Sequence, residues 1–503
     1  MPFGVFRRTD TIFIDRGYVR FRWRLMLALL CGAAMPFAFS PYDYRIVAVL
    51  ALAGWLWLIM RERAFAIGLA FGIGWFGFGA WWLVPTFHQF GPMAYAWAVL
   101  AVVPVGVVLG LMPALWAWAC QWLAAGHRLR VILLFPVLGV AEEWLRGHLL
   151  TGLPWTTLGN LLLDTRTIGW AAWLGVYGAA LLPTSLAALL VLSLERRYWR
   201  FGLVGLALFS VLVWFSPSPF PANGKQYRVA LIQGDIPQRL KWRPEFLNET
   251  MQRYVDASTV AATQSDVIVW PEAAVPFFLS RSPEWDAWLR QRMQSWSVPV
   301  LFGAVRLEQD GRHALNGIDL SMPGHDDREF AAKQHLVPFG EYVPTWIPFL
   351  HALVPNIGDF TPGHDSGVLQ AGKNHFGSLI CYEAIFPREA RARVRAGANV
   401  LVNVVNDAWY GHTPATWQHL QSARMRAVET GRYLLRAANT GVSAIVAPDG
   451  RITSTIPWFT QRVLYGNYRT STVVTPYQRW GDWPLLALLV PVLLVWRYRR
   501  RQA

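Results

Sequence analysis

The sequence predicts a membrane-embedded α-helical bundle of eight spans with an α/β domain inserted between the seventh and the eighth, and three observations predict it. First, 54% of the 503 residues are hydrophobic and 28 are tryptophan, a composition too apolar for an ordinary soluble enzyme. Second, basic residues gather in short blocks beside apolar runs: "RFRWR" at 20–24, "RER" at 61–63, "HRLR" at 127–130, "ERRYWR" at 195–200 and "RYRRR" at 497–501. Third, a polar block at 217–481 alternates β-rich and helical patterns. The net charge of +15 therefore reads as positive-inside topology with attraction to anionic lipid, and not as a nucleic-acid surface.

Taken in order, residues 1–24 form a basic cytoplasmic arm and residues 25–216 hold seven spans. The apolar segments run at 25–42, 46–60, 64–85, 92–123, 131–145, 168–194 and 201–215, with an eighth at 483–496. A crossing helix needs about 20 residues, so the shorter segments leave their limits open. Parity checks the count: with the N-terminus in the cytoplasm, eight spans put every basic block on the cytoplasmic side. The connections "PYDYR", "PTFHQFGP" and "GHLLTGLPWTTLGNLLLDTRT" then lie outside, as does the whole of 217–481. The first apolar run is read as a retained span and not as a cleaved signal, because six more follow it closely. "SPSPFPANGK" at 216–225 stops the seventh helix, and residues 482–503 are the eighth span and a basic cytoplasmic tail.

The inserted block is large enough for one sizeable core. "YRVALIQGDI", "DVIVWPEAAV", "VPVLFGAV", "HFGSLICYEAIF", "ANVLVNVVNDAW" and "GVSAIVAPDG" read as strands. Several are apolar without alternation, which marks strands covered on both faces. "RPEFLNETMQRYVDAST", "PEWDAWLRQRMQSW" and "TWQHLQSARMRAVETGR" between them read as amphipathic helices, giving an α/β sandwich.

Chemistry in such sheets collects where apolar strands end, since those positions are rigid yet accessible. "VIVWPE" delivers Glu272, "FAAKQHLVPFGEYVP" delivers Lys333 and Glu341, and "SLICYE" delivers Cys381. Singly, a strand cysteine is core filler, a lysine is a surface charge and a glutamate after proline opens a turn. Together they are the parts of acyl transfer. Glu272 fits a base for the thiol, Lys333 a cation for the oxyanion, and Cys381 the nucleophile. The Tyr382 N–H is a second oxyanion donor, and Glu341 keeps Lys333 charged. A Cys–His pairing would draw on His335, His375, His412 or His419, but none of these ends a strand motif of its own. No His-x-His or Cys-x-x-Cys cluster marks a metal site.

These motifs resemble the nitrilase superfamily, whose signature is a Glu-Lys-Cys triad on an αββα sandwich. Fused to eight spans, the chain is similar to the apolipoprotein N-acyltransferases of Gram-negative bacteria. The resemblance rests on "LTGLPW" at 150–155, "QGDIPQRLKW" at 233–242, "WPEAAVP" at 270–276, "HLVPFGEYVP" at 335–344, "ICYEAIFP" at 380–387 and "NDAWYG" at 406–411, in the family's order. It implies Glu272 as general base, Lys333 as oxyanion stabiliser and Cys381 as the acyl-bearing thiolate, supported by Glu341, Tyr382 and Glu383. Trp242 and Trp409 match substrate-binding aromatics, and Tyr410 stands where many members have Phe. The implied reaction needs no cofactor. It moves the sn-1 acyl chain of a phospholipid, usually phosphatidylethanolamine, to the α-amino group of the diacylglyceryl-cysteine that begins a lipoprotein. The implied setting is the inner membrane, with the catalytic domain in the periplasm and a monomeric enzyme.

Both substrates live in the bilayer, so aromatic segments are expected at the membrane surface. "VPFFLS" at 275–280, "PTWIPFLHALVPNIG" at 344–358 and "IPWFTQ" at 456–461 are candidates; sandwich core is the better reading for any single residue of them, and the second segment is favoured as an interfacial arm. "AEEWLRGH" puts Glu142, Glu143 and Arg146 at the outer end of the fifth span, as a headgroup site or a structural ion pair. His88 is assigned no chemistry. Two other functions fit parts of the pattern: a membrane-tethered amidase or nitrilase acting on a small amide, and a non-catalytic transporter or lipid-binding scaffold. The aromatic arm argues against the first, and the intact triad with spans lacking paired midplane charges against the second.

Overall fold

The computed structural model describes residues 16–91, 93–308, 311, 313–343 and 360–488, together with 490, 492, 494, 496 and 497. Every apolar segment of the sequence carries helix. These are α1 (Arg16–Ala34), α2 (Arg45–Ile59), α3 (Ala64–Gly79), α4 (Leu83–Gln89), α5 (Tyr95–Ala124), α6 (Arg128–Arg146), α7 (Gly169–Ala179), α8 (Leu181–Leu194) and α9 (Trp199–Trp214). A last helix begins at Trp483. By length and composition, Arg20–Ala38 and Tyr95–Ala124 are each able to cross a bilayer. The pairs α3–α4, bent by 50°, and α7–α8, bent by 71°, also reach that length if each is one span. Close approach holds this bundle together: a Cβ on Gly72 of α3 would stand 2.5 Å from the Gly110 Cα of α5. Backbones meet that closely only where side chains are absent.

The polar block builds two six-stranded sheets. The strands that carry the site are β1 (Gln226–Gln233), β2 (Val267–Val269), β5 (Arg328–Ala332), β7 (Asn374–Ile380) and β8 (Val400–Val405). The others are β3 (Val300–Leu307), β4 (Ala314–Ser321), β6 (Val368–Ala371), β9 (Leu434–Ala438), β10 (Ser443–Val446), β11 (Ile452–Ile456) and β12 (Arg462–Arg469). One sheet has the order β12-β1-β2-β3-β4-β5 and the other β11-β10-β9-β8-β7-β6. Parallel pairing joins β1 to β2 and β7 to β8. Between the sheets, Val229, Val267 and Leu301 pack with Val400, Val402 and Leu435. Outside them, Met251, Tyr254 and Leu289 cover one sheet, and Ala390, Leu420 and Ala423 cover the other. The result is the four-layer sandwich that two-sided apolar strands require.

One expectation is corrected here. The helix at Ala415–Thr430, read as amphipathic, is buried along nearly its whole length. One face covers the sheet, while Met425 and Val428 on another join the core of the apolar helical bundle. Its polar residues are used in that contact: Trp155 Nε1 donates to Gln418 at 2.7 Å, and Val176 N donates to Glu429 at 2.7 Å. "VPFFLS" takes the core reading, because Val275, Phe277 and Leu279 are buried in the sandwich's outer layer. The arm at 344–358 lies outside the described residues.

Candidate active site

The three strand ends converge. β2 stops at Val269 three residues before Glu272, β5 stops at Ala332 next to Lys333, and β7 stops at Ile380 next to Cys381. Lys333 Nζ donates to Glu341 Oε1 at 2.8 Å and stands 3.8 Å from Glu272 Oε1. Asn316, on the neighbouring strand, ties the carboxylates together, donating to Glu272 Oε1 at 2.8 Å and Glu341 Oε1 at 3.2 Å. Burial alone would lower the Lys333 pKa, but Glu341 and then Glu272 outweigh it and hold the ammonium above its ordinary value.

Cys381 sits at φ +50°, an uncommon backbone for a residue with a side chain, and opens the one-turn helix Cys381–Ile385. Glu383 fixes this elbow. Its carboxylate accepts from Ile380 N at 2.7 Å, Gln334 N at 2.7 Å and His335 N at 3.1 Å, joining the ends of β7 and β5. Burial pushes the Glu383 pKa up to about 7, against the pull of Arg393. From below, His419 Nε2 meets the Cys381 carbonyl at 2.9 Å, while its Nδ1 meets Asp407 at 2.9 Å. His419 thus contacts the backbone of the elbow. His335 stacks on Phe386 instead, and His412 stacks on Phe459.

Burial, then the Glu272 carboxylate, push the Cys381 thiol well above its ordinary pKa, with Lys333 pulling the other way. A thiol raised in this way would need a base to take its proton in any attack by its sulfur. Trp242 and Trp409 are 47% and 40% exposed, and the Trp409 ring packs against Phe90.

The membrane half closes one side. Tyr382 Oη donates to the Gly152 carbonyl at 3.0 Å, and Thr86 Oγ1 of α4 donates to the Trp409 carbonyl at 2.8 Å. The loop bearing Gly152 is itself anchored by Arg146, which donates to Leu153 O at 3.0 Å and Trp155 O at 2.9 Å. Arg146 also pairs with Glu142 at 3.2 Å and Glu143 at 3.0 Å, and Glu143 accepts from Leu158 N. Of the two readings of this cluster, the geometry gives the structural ion pair. Sequence reasoning missed Asn316, which lies inside a strand, and Lys241, which lies in a turn, and it weighed His419 only as a partner for the thiol and not as the Asp407-paired contact of the Cys381 carbonyl.

Known proteins resemble both halves of the chain. Residues 228–475 match the carbon-nitrogen hydrolase family, and residues 31–189 match the apolipoprotein N-acyltransferase N-terminal domain. An amidase from Nesterenkonia sp. overlaps 53% of this chain and 97% of its own, at 18% identity and a TM-score of 0.39. The apolipoprotein N-acyltransferase of Methylococcus capsulatus is 38% identical over 95% of this chain and 96% of its own. That of Ralstonia nicotianae is 36% identical over 96% and 95%. Because this similarity covers the apolar helices and the sandwich alike, the chain belongs to the apolipoprotein N-acyltransferase family.

Proposed function

We propose that the chain carries out the reaction for which its family is named, the N-acylation of bacterial apolipoproteins, through a thioester on Cys381. The donor is a membrane phospholipid, phosphatidylethanolamine for preference, and the acceptor is the α-amino group of an S-diacylglyceryl-cysteine. Cys381 Sγ attacks the donor's ester carbonyl as Glu272 takes the thiol proton, and Lys333 with the Tyr382 N–H faces the oxyanion. Collapse expels the lysophospholipid alkoxide, which takes that proton, and leaves the acyl group on sulfur. The lipoprotein amine then attacks the thioester, gives its proton to Glu272 and returns the thiol. Glu341 holds Lys333, and Glu383 holds the elbow. Trp242 and Trp409 line the acyl chain's path.

The observation that carries this reading is Lys333 Nζ held between Glu341 and Glu272, at 2.8 and 3.8 Å, with Cys381 in the same field. Around it we infer eight spans, with 25–216 holding seven of them and 482–503 the eighth beyond the catalytic domain at 217–481. That domain is placed in the periplasm, above the inner membrane, in a monomer that needs no cofactor. Incubating purified protein with phospholipid alone tests the chemistry. A hydroxylamine-sensitive fatty-acyl adduct on the Cys381 peptide, with released lysophospholipid, is expected; Cys381→Ala gives neither. Steady release of free fatty acid without an adduct would replace this reading with a hydrolase.

A further inference from the structure

Two lysines are buried among the described residues, and the triad uses only one of them. The other, Lys241, is delivered by the turn after β1, where Leu240 N and Lys241 N both donate to Pro237 O at 2.9 and 3.2 Å. That turn directs Lys241 inward and leaves its neighbour Trp242 half exposed. Since β1 and β2 are parallel neighbours, the two strand ends lie side by side. Lys241 Nζ donates to the backbone carbonyl of Glu272 at 2.9 Å. The Glu272 carboxylate and Cys381 both lie within its electrostatic reach.

Charge counting gives this lysine a task. With the thiol neutral and Asp407 balanced by Arg436 at 2.6 Å, the site holds two further carboxylates, Glu272 and Glu341, and two ammoniums, Lys333 and Lys241. Moving the thiol proton to Glu272 leaves one carboxylate, one thiolate and two ammoniums, so the net charge remains zero. Without the Lys241 charge, both states carry net negative charge in a buried site, and the negative oxyanion that follows is penalised further. We propose that Lys241 is the second cation of the site, keeping it electrically neutral while Glu272 takes the Cys381 proton and the oxyanion forms. This rests on the reading of Cys381 as the acyl carrier.

The groups facing Lys241 are Glu272 after β2 and Cys381 after β7. Lys333 and Glu341 after β5, and Asp407 after β8, act on the same thiol. Burial lowers the Lys241 pKa to about 8, with Glu272 and Cys381 opposing. It is therefore charged near neutrality and loses its charge on modest alkalisation.

The test compares full-length wild type with Lys241→Met from about pH 6 to about pH 10. Two rates are followed: acyl-adduct formation on the Cys381 peptide in phosphatidylethanolamine vesicles and, without lipid, iodoacetamide alkylation of the same thiol. Near pH 7 the wild type should form the adduct roughly 100-fold faster, the usual cost of removing one charge-stabilising donor. That ratio, and the smaller one for alkylation, should collapse toward one as pH passes about 8. A ratio independent of pH marks a structural role and overturns the proposal. If Lys241→Met does not fold, the wild type alone decides, because its acylation rate should bend downward from its lower-pH trend near about pH 8, and a profile without an inflection there overturns the proposal. A wild type that forms no adduct at any pH defeats the acyl-carrier reading, while the alkylation comparison still reports on Lys241.

Discussion

Lys333 is held by Glu341 and faces Glu272, so its position matters as much as its charge. Lys333→Arg keeps the charge but replaces a compact ammonium with a wide planar fork that cannot occupy the same space. Acyl-adduct formation should fall by roughly 100-fold while thermal stability changes little, as measured by single-turnover kinetics and melting. An Arg variant matching wild type would make Lys333 a structural charge. Asn316→Ala should act differently, leaving two buried carboxylates each short of a donor at a cost of about 1–3 kcal/mol. It should lower the melting temperature and slow acylation together. Glu272, Lys333 and Cys381 were legible because apolar strands end beside each of them. Asn316 and Lys241 were not, since one lies inside a strand and the other in a turn, and only the packing of neighbouring strands brings them to the site.

Elements show the same division. The strand patterns located the sheets, because residues covered on both faces write continuous apolar runs. The helix at Ala415–Thr430 misled for a related reason: its polar positions look like a solvated face but bond to the membrane half. Sequence periodicity reports polarity, not what satisfies it. Glu429 on this helix accepts from Val176 N at 2.7 Å and from Arg426 Nη2 at 3.2 Å. Glu429→Leu would strand the buried Arg426 guanidinium, and removing one partner of such a pair costs about 3–5 kcal/mol. A clear drop in melting temperature in detergent is the expected outcome, and an unchanged melt would show that the helix is not welded to the membrane half. In the bundle, Gly72→Leu should likewise lower the melt, because any Cβ there meets the Gly110 backbone.

At the scale of the molecule, hydropathy located a helix at every apolar segment but could not foresee breaks within them. The 71° bend between Gly169–Ala179 and Leu181–Leu194 lies in an unbroken apolar run. The count of eight spans therefore stands on the distribution of charge, and it makes paired predictions. The blocks at 61–63, 127–130 and 195–200 share one side only if the bent pairs each cross once, which sends 217–481 to the other side. Gln264 is exposed on the sandwich and Arg196 is exposed in the third of those blocks, so each takes a cysteine without disturbing the core. In a background with Cys31, Cys120 and Cys381 replaced by alanine, a membrane-impermeant maleimide is applied to cells whose outer membrane has been made leaky. Gln264→Cys should label at once, and Arg196→Cys only after the inner membrane is broken. Both labelling together would mean an odd number of crossings is missing between them, and the reverse order would put the catalytic domain in the cytoplasm, where the proposed lipoprotein acceptor could not meet it.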